Sequence, residues 1–141
     1  MKELLFLIQI FSCFSLFGLI WTIQLVHYPA FLKIERIDFE VFSRFHSRKI
    51  SLIVVPLMLI EFVSGILLLI FFPSIVIASN FLGIITIWIS TIFLSMPLHR
   101  KIASGKDLAA IEKLIKTNWP RTITWTLRTF LLLTIAWRGI A

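Results

Sequence analysis

The chain of 141 residues is poor in cysteine, in charge and in acidic side chains. Its one cysteine, Cys13, excludes an intrachain disulfide and a cysteine metal cluster. Only 15% of the residues are charged and 59% are hydrophobic, whereas a typical soluble domain has about a quarter charged residues. The composition therefore excludes an ordinary soluble globule, a disordered chain and a disulfide scaffold. A phosphate-binding glycine loop, a His-Glu-x-x-His motif and a serine nucleophile motif are also missing, which argues against hydrolases and nucleotide-driven pumps.

Long apolar runs predict an all-α integral membrane protein, a bundle of four antiparallel spans. About twenty apolar residues are needed to cross a hydrocarbon core roughly 30 Å thick. The longest run is too long for one span, and breaker residues including Pro73 and Asn80 divide it into two. The predicted spans are residues 4–27, 50–72, 77–97 and 119–138, in a single transmembrane domain of residues 1–141.

The net charge of +7 lies in two short blocks between apolar runs, which makes the lipid bilayer the expected partner and not nucleic acid. Loops rich in Lys and Arg near the ends of spans lie on the cytoplasmic side, so we expect both connections inside and both termini outside. The expected location is a bacterial inner membrane. Helical spacing of apolar residues predicts a short amphipathic helix in each connection. Residues 104–107 are predicted to form a turn and a helix cap before the second of these helices. The basic residues are Lys33, Arg36, Arg44, Arg48 and Lys49 in the first block and Arg100, Lys101, Lys106, Lys113 and Lys116 in the second.

Two ionisable residues fall inside predicted spans. Glu61 and Arg128 both lie at a depth of roughly 14–17 Å from the cytoplasmic side, at about 1.5 Å per residue. A charge is costly at that depth, so we predict that the two form an intramembrane ion pair. Whether the pair has a function or only fixes helix packing is left open by the sequence.

Polar and aromatic residues recur at helical spacing and reach matching depths on all four predicted spans. This pattern predicts a polar, aromatic-lined pocket that opens to the cytoplasm and binds a small hydrophobic aromatic ligand. The alternative is that the tryptophans only pack the bundle. The candidate pocket residues are Trp21, Gln24, His46, Glu61, Trp88, Trp125 and Arg128, together with Asn118 and Arg121 on the last span.

The three histidines, His27, His46 and His99, each lie at the cytoplasmic end of a different span. Three imidazoles could hold a metal ion or a haem, and one could carry a proton. Their positions also suit amphipathic side chains at the headgroup boundary. The spacing requires none of these roles, so no metal ligand is assigned and the cofactor is unknown.

Three motifs carry a resemblance. Residues 21–29 (WTIQLVHYP), 97–100 (PLHR) and 117–122 (TNWPRT) resemble small bacterial four-span membrane proteins of unassigned function. They are similar, more distantly, to the anthrone oxygenase-like membrane family, which has a proline after the first span, a Pro-Leu-Asn-Asn segment after the third and an Asn-x-x-Arg segment near the fourth. Pro29, Pro97-Leu98 and Asn118-x-x-Arg121 match, and His99-Arg100 replaces the asparagine pair.

The resemblance implies oxidation of a flat phenolic polycycle to a quinone without a bound metal. It would assign His99 or His27 as the base, with Asn118 and Arg121 as donors to the enolate. A looser similarity of residues 118–120 to the membrane protoporphyrinogen oxidase implies a tetrapyrrole ligand. The rival interpretation is a non-enzymatic protein, either a binding module or a subunit of a homo-oligomer or larger membrane complex.

Overall fold

The computed structural model describes the backbone of residues 1–140 and the side chains of residues 1–137. The last residue of the predicted domain, Ala141, and the side chain of Arg138 in the predicted fourth span lie outside the described part. Residues 1–140 form helices and no strand, as predicted: α1 (Lys2–Phe31), α2 (Arg36–Phe71), α3 (Ile75–Ile102) and α4 (Leu108–Ile140).

Helices α1, α2 and α3 are long and apolar enough to cross a membrane. Helix α4 does not reach the same hydropathy over the described residues. Its apolar stretch is interrupted by Arg121 and Arg128, both of which face the interior of the bundle. Arg121 and Arg128 therefore lower the hydropathy of this stretch from its buried face, while Leu127 and Phe130 on its outer face are exposed.

The connections between helices are shorter than predicted. The two predicted amphipathic helices are not separate elements, because they are the first turns of α2 and α4. No glycine or proline interrupts residues 36–55, so the helix that begins at Arg36 continues directly into the apolar run. The turn between α2 and α3 lies at residues 72–74, where the Ser74 hydroxyl accepts a hydrogen bond from the Ile77 N–H at 3.2 Å. Asn80, predicted as a breaker, is buried within α3.

A π-helical turn precedes a proline in both α1 and α3. The turns are Ile23–His27 before Pro29 and Thr91–Ser95 before Pro97. A proline lacks the N–H donor and its ring crowds the carbonyl four residues earlier, and the extra residue of a π turn moves that carbonyl aside. The helices therefore continue past both prolines, and each π turn is followed by a histidine or tyrosine of the candidate site.

The four helices pack in a ring: α1 contacts α2, α2 contacts α3, α3 contacts α4, and α4 closes the ring against α1. The connections 32–35 and 103–107 meet at one end, here called the basic end, where the Lys106 Nζ donates hydrogen bonds to the carbonyls of Leu32 at 3.0 Å and Ile34 at 2.5 Å. An apolar core fills this end. It includes Phe31, Phe39, Ile102, Ile111 and Leu114.

Candidate functional site

A cavity of about 360 Å³ lies above this core and is lined by all four helices. Ligand pockets in proteins typically span about 300–1,000 Å³, so this cavity suits a small ligand. Among the predicted site residues, those that line it are His46, Trp88, His99, Arg121 and Trp125. Those that lie outside its lining are Trp21, Gln24, His27, Glu61, Asn118 and Arg128.

The part of the cavity nearer the middle of the bundle is apolar and aromatic. Aliphatic side chains from α1 and α2 line it, and Trp88 and Trp125 face them from α3 and α4. The aliphatic residues are Leu16, Ile20, Val54 and Met58. Such a surface suits a flat hydrophobic ring system.

The other part of the cavity, toward the basic end, is polar. The Tyr28 hydroxyl lies 2.9 Å from Nε2 of His99, and the Ser47 hydroxyl lies 3.5 Å from Nδ1 of the same ring. Both nitrogens of His99 therefore have protein partners. These contacts hold the His99 ring in one orientation, with Tyr28 shared between His99 and Arg121.

Arg121 is a buried cation at this polar part of the cavity. It is 6% exposed and forms no salt bridge with any described carboxylate. Its Nη2 donates to the Asn118 side-chain oxygen and, at 3.5 Å, to the Tyr28 hydroxyl. Its Nη1 donates to the Thr91 hydroxyl at 3.5 Å. A buried charge that is compensated only by neutral groups is costly, so this guanidinium is a strong candidate for contact with an anionic or electron-rich ligand.

Asn118 and Gln24 lie behind Arg121, outside the cavity lining. The Asn118 Nδ2 donates to the Gln24 Oε1 at 2.7 Å, and the Gln24 Nε2 donates to the Ile115 carbonyl at 3.2 Å. Because Asn118 is fully buried and also accepts from Arg121, this chain fixes the position of the guanidinium. Asn118 and Gln24 are thus placed to hold the Arg121 guanidinium in position, whereas the sequence predicted that both residues contact the ligand.

His27 and His46 form a hydrogen-bonded pair, with 2.5 Å between Nε2 of His27 and Nδ1 of His46. One ring donates and the other accepts, because two acceptor nitrogens would repel each other. His46 is 5% exposed and lines the cavity, whereas His27 is only partly buried and lies outside the lining. The pair therefore connects the cavity with the outer surface of the bundle.

Four buried polar atoms of the lining residues have no hydrogen-bond partner among the described residues. They are His46 Nε2, Trp88 Nε1, Ser95 Oγ and Arg121 Nε. Buried polar groups in proteins are nearly always satisfied, so four such atoms around one cavity are unusual. They are two N–H donors, one imidazole nitrogen and one hydroxyl, all enclosed in the walls of the cavity.

Glu61 and Arg128 form the predicted ion pair, with 2.6 Å between Oε1 and Nη1. The pair joins α2 to α4 across the middle of the ring and is buried, with the two side chains 0% and 3% exposed. Trp125 donates to both carboxylate oxygens, at 3.3 and 3.4 Å, and the Arg128 Nε donates to the Asn80 oxygen at 3.0 Å. Because Trp125 also lines the cavity, it links the ion pair to the site.

Trp21 lies where α1 packs against α4, outside the cavity lining. Its Nε1 donates to the Thr126 hydroxyl at 3.0 Å, and its ring packs edge-on against Trp119 at 5.9 Å between centroids. These contacts with α4 draw the ring away from the cavity. Trp21 therefore serves packing between α1 and α4.

Three polar residues of the site are not among the predicted site residues: Tyr28 and Ser47, which are the partners of His99, and Ser95. The available signal was the position of the single tyrosine of the chain, directly after His27 and before Pro29. Within the described residues, no group of three or more His, Cys, Asp or Glu side chains could hold a metal ion.

Comparisons of the chain with protein-family models, curated proteins and solved structures found no match.

Proposed function

We propose that the chain is an integral membrane four-helix bundle whose cavity binds a small amphipathic aromatic ligand of the phenol or quinone type. The observation that carries this proposal is the buried Arg121 guanidinium, which has no carboxylate partner among the described residues, at the polar part of an otherwise apolar cavity. A phenolate, enolate or quinone oxygen would accept hydrogen bonds from Arg121. The rings would then lie against Trp88 and Trp125.

In this proposal α4 is the fourth span, and the basic end faces the cytoplasm of a bacterial inner membrane. Lys33, Arg36, Lys101 and Lys106 lie in or next to the connections of that end, which supports the orientation. Large apolar side chains exposed on every helix, including Leu25, Leu52, Phe93 and Phe130, support a lipid-facing surface around the whole ring.

The binding proposal can be tested with menadione, a two-ring quinone, and the protein in lipid nanodiscs. Trp88 and Trp125 line the cavity, so a bound quinone should quench tryptophan fluorescence in a saturable way. Arg121→Gln should weaken this binding by about tenfold or more, since a hydrogen bond to a charged group contributes about 1.5–3 kcal/mol. Arg48→Gln, a matched change at an exposed arginine of α2, should leave the affinity unchanged. Quenching that is linear and identical in all three proteins would reject the site.

Oxidation of the ligand is a second candidate function, favoured by the His46–His27 pair, which joins a ring that lines the cavity to a partly exposed ring. With the acceptor nitrogen of His46 toward the ligand, the ring could remove a phenolic or benzylic proton, and His27 could pass a proton to the surface. Conversion of the CH₂ group of an anthrone to a carbonyl by dioxygen consumes one O₂ and releases one water. In this arrangement His46 replaces His99 or His27 as the base, because the ring nitrogens of His99 already have partners and His27 lies outside the cavity lining.

Oxygen uptake with anthrone distinguishes an enzyme from a binding module. An enzyme should consume one O₂ per quinone formed, and His46→Gln should abolish turnover while the affinity for menadione changes by less than about threefold. Uptake no faster than in protein-free nanodiscs would leave the non-enzymatic alternative, a binding module or a membrane subunit. An absorption band near the haem or porphyrin Soret region in the purified protein would instead support the tetrapyrrole alternative.

A further inference from the structure

The mouth of the cavity lies on the side of the bundle, between α2 and α3. Most residues that line the cavity are buried or partly buried, and the exposed ones all belong to these two helices. They are Ser51 and Val55 on α2 and Ile92, Met96 and Arg100 on α3. No exposed residue of α1 or α4 takes part in the lining within the described residues.

The spacing of these residues gives the opening its shape. Ser47, Ser51 and Val55 follow one another at intervals of one helical turn on α2, as do Ile92, Met96 and Arg100 on α3. The helices are antiparallel and joined at residues 72–74, so Val55 and Ile92 both lie roughly 25 Å from that turn at about 1.5 Å per residue. The two stripes therefore face each other as the edges of one slot.

Packing explains why the slot is open. Helix α2 packs closely against the Ile75–Ser90 part of α3 and much less against the parts that follow it. The π turn Thr91–Ser95 shifts the register of α3 where the two helices separate. Meanwhile Phe31, Phe39, Ile102, Ile111 and Leu114 fill the basic end below the cavity. A ligand thus meets a packed core from the end and an open slot from the side.

The slot is graded from apolar to polar. Val55 and Ile92, the edge residues nearer the middle of the bundle, are apolar, whereas Ser47 and Arg100 stand toward the basic end. This order matches the order of acyl chain and headgroup in the bilayer leaflet next to the basic end. It also matches the interior of the cavity, in which the apolar part and the Arg121 part are arranged in the same direction.

From these observations we propose that the ligand enters laterally from the bilayer, through the slot between α2 and α3, from the leaflet on the basic side. The substrate class is thereby narrowed to compounds that dissolve in the membrane with their oxygen at the headgroup level, such as short-chain quinones and alkyl phenols. This inference rests on the proposed ligand-binding function. It replaces the opening to the cytoplasm that the sequence predicted.

Stopped-flow binding of menadione to nanodisc-embedded protein tests the route. Val55→Phe and Ile92→Phe place larger side chains at the slot, whereas Val63→Phe and Ile89→Phe make the same additions at equally exposed positions outside the lining. The slot variants should lower kon and koff together by roughly fivefold or more and keep Kd within about twofold, because an entry route changes rates and not the bound state. The control variants should match the wild-type protein.

A block applied after folding removes any ambiguity from misfolded variants. Cys13 is fully buried, so Val55→Cys in a Cys13→Ser background offers one accessible thiol for a benzyl methanethiosulfonate reagent. Labelling should slow association as Val55→Phe does. The lateral route would be overturned if the wild-type protein binds menadione and all slot variants keep its kon and koff. It would also be overturned if the slot variants raise Kd through koff alone. Either result would leave the binding function intact. Absence of saturable binding in the wild-type protein would overturn the proposed function and this inference with it.

Discussion

Substitution of Glu61 by Gln tests the ion pair at the centre of the bundle. The change keeps the size of the side chain and the acceptor oxygen but removes the charge that faces Arg128 at 2.6 Å. Arg128 then remains buried with only the Asn80 oxygen and a neutral amide as partners. Breaking a buried pair on one side costs about 3–5 kcal/mol, and we expect about 3 kcal/mol because the amide oxygen still accepts a hydrogen bond.

The same chemical change at an exposed site supplies the control. Glu40 pairs with Arg44 at 2.7 Å, but the two side chains are 48% and 65% exposed. Glu40→Gln should therefore lower the free energy of unfolding by less than about 1 kcal/mol. The measurement is reversible unfolding in mixed detergent micelles followed by circular dichroism. Equal losses for the two variants would refute the reasoning, since burial would then have no effect on the strength of the pair.

Two further predictions concern stability. A Cβ at Gly83 would lie 2.5 Å from Cδ and 2.9 Å from Cγ of Arg128, so Gly83→Ala should destabilise the bundle by about 1–3 kcal/mol in the same unfolding assay. Gly18→Ala should leave the stability unchanged, because a Cβ at Gly18 meets no described atom within 4 Å. An equal loss for both variants would show that the contact at Gly83 is not tight. Lys101 and the N–H of Ala110 lower the pKa of Asp107 at the start of α4. The ionised Asp107 should therefore stabilise the folded state fully above the usual carboxyl pKa, and this stabilisation should be lost as the pH falls through the lowered pKa. The Tm difference between the wild-type protein and Asp107→Asn should accordingly shrink in strong acid, and a difference that grows there would contradict the assignment.

Hydropathy and depth were enough to predict the all-helical fold and the partnership of Glu61 with Arg128. Apolar runs specify membrane-length helices because backbone groups must be satisfied within each span. Two charges at one depth have few alternatives to pairing. The starts of α2 and α4 were less predictable, because the amphipathic segments that begin at Arg36 and Leu108 continue without a break into the apolar runs.

The composition of the cavity could be predicted only in part. Helical spacing placed His46, Trp88, His99, Arg121 and Trp125 on inward faces, and these residues line the cavity. The same spacing failed for Trp21, because a residue at the edge of a face can turn to either neighbour. It also failed to separate the lining from the residues behind it, since Asn118 lies on the same stripe of α4 as Arg121 and differs from it in reach.

The slot between α2 and α3 was not predictable from the sequence. Its existence depends on how far two antiparallel helices separate after their shared turn, and on the π turn Thr91–Ser95 that shifts α3. A prolyl residue such as Pro97 indicates a local irregularity but not its form, which is a π turn here and could be a kink or an end elsewhere.

The most direct test of the central claim is photo-crosslinking of the protein in nanodiscs with an azido-1-naphthol, followed by mass spectrometry of the adducts. We expect adducts at lining residues, above all Met58, Trp88 and Trp125, that disappear with excess 1-naphthol and are reduced in Arg121→Gln. Adducts confined to exposed side chains such as Phe93 and Phe130, with no competition by 1-naphthol, would contradict a ligand site in the cavity.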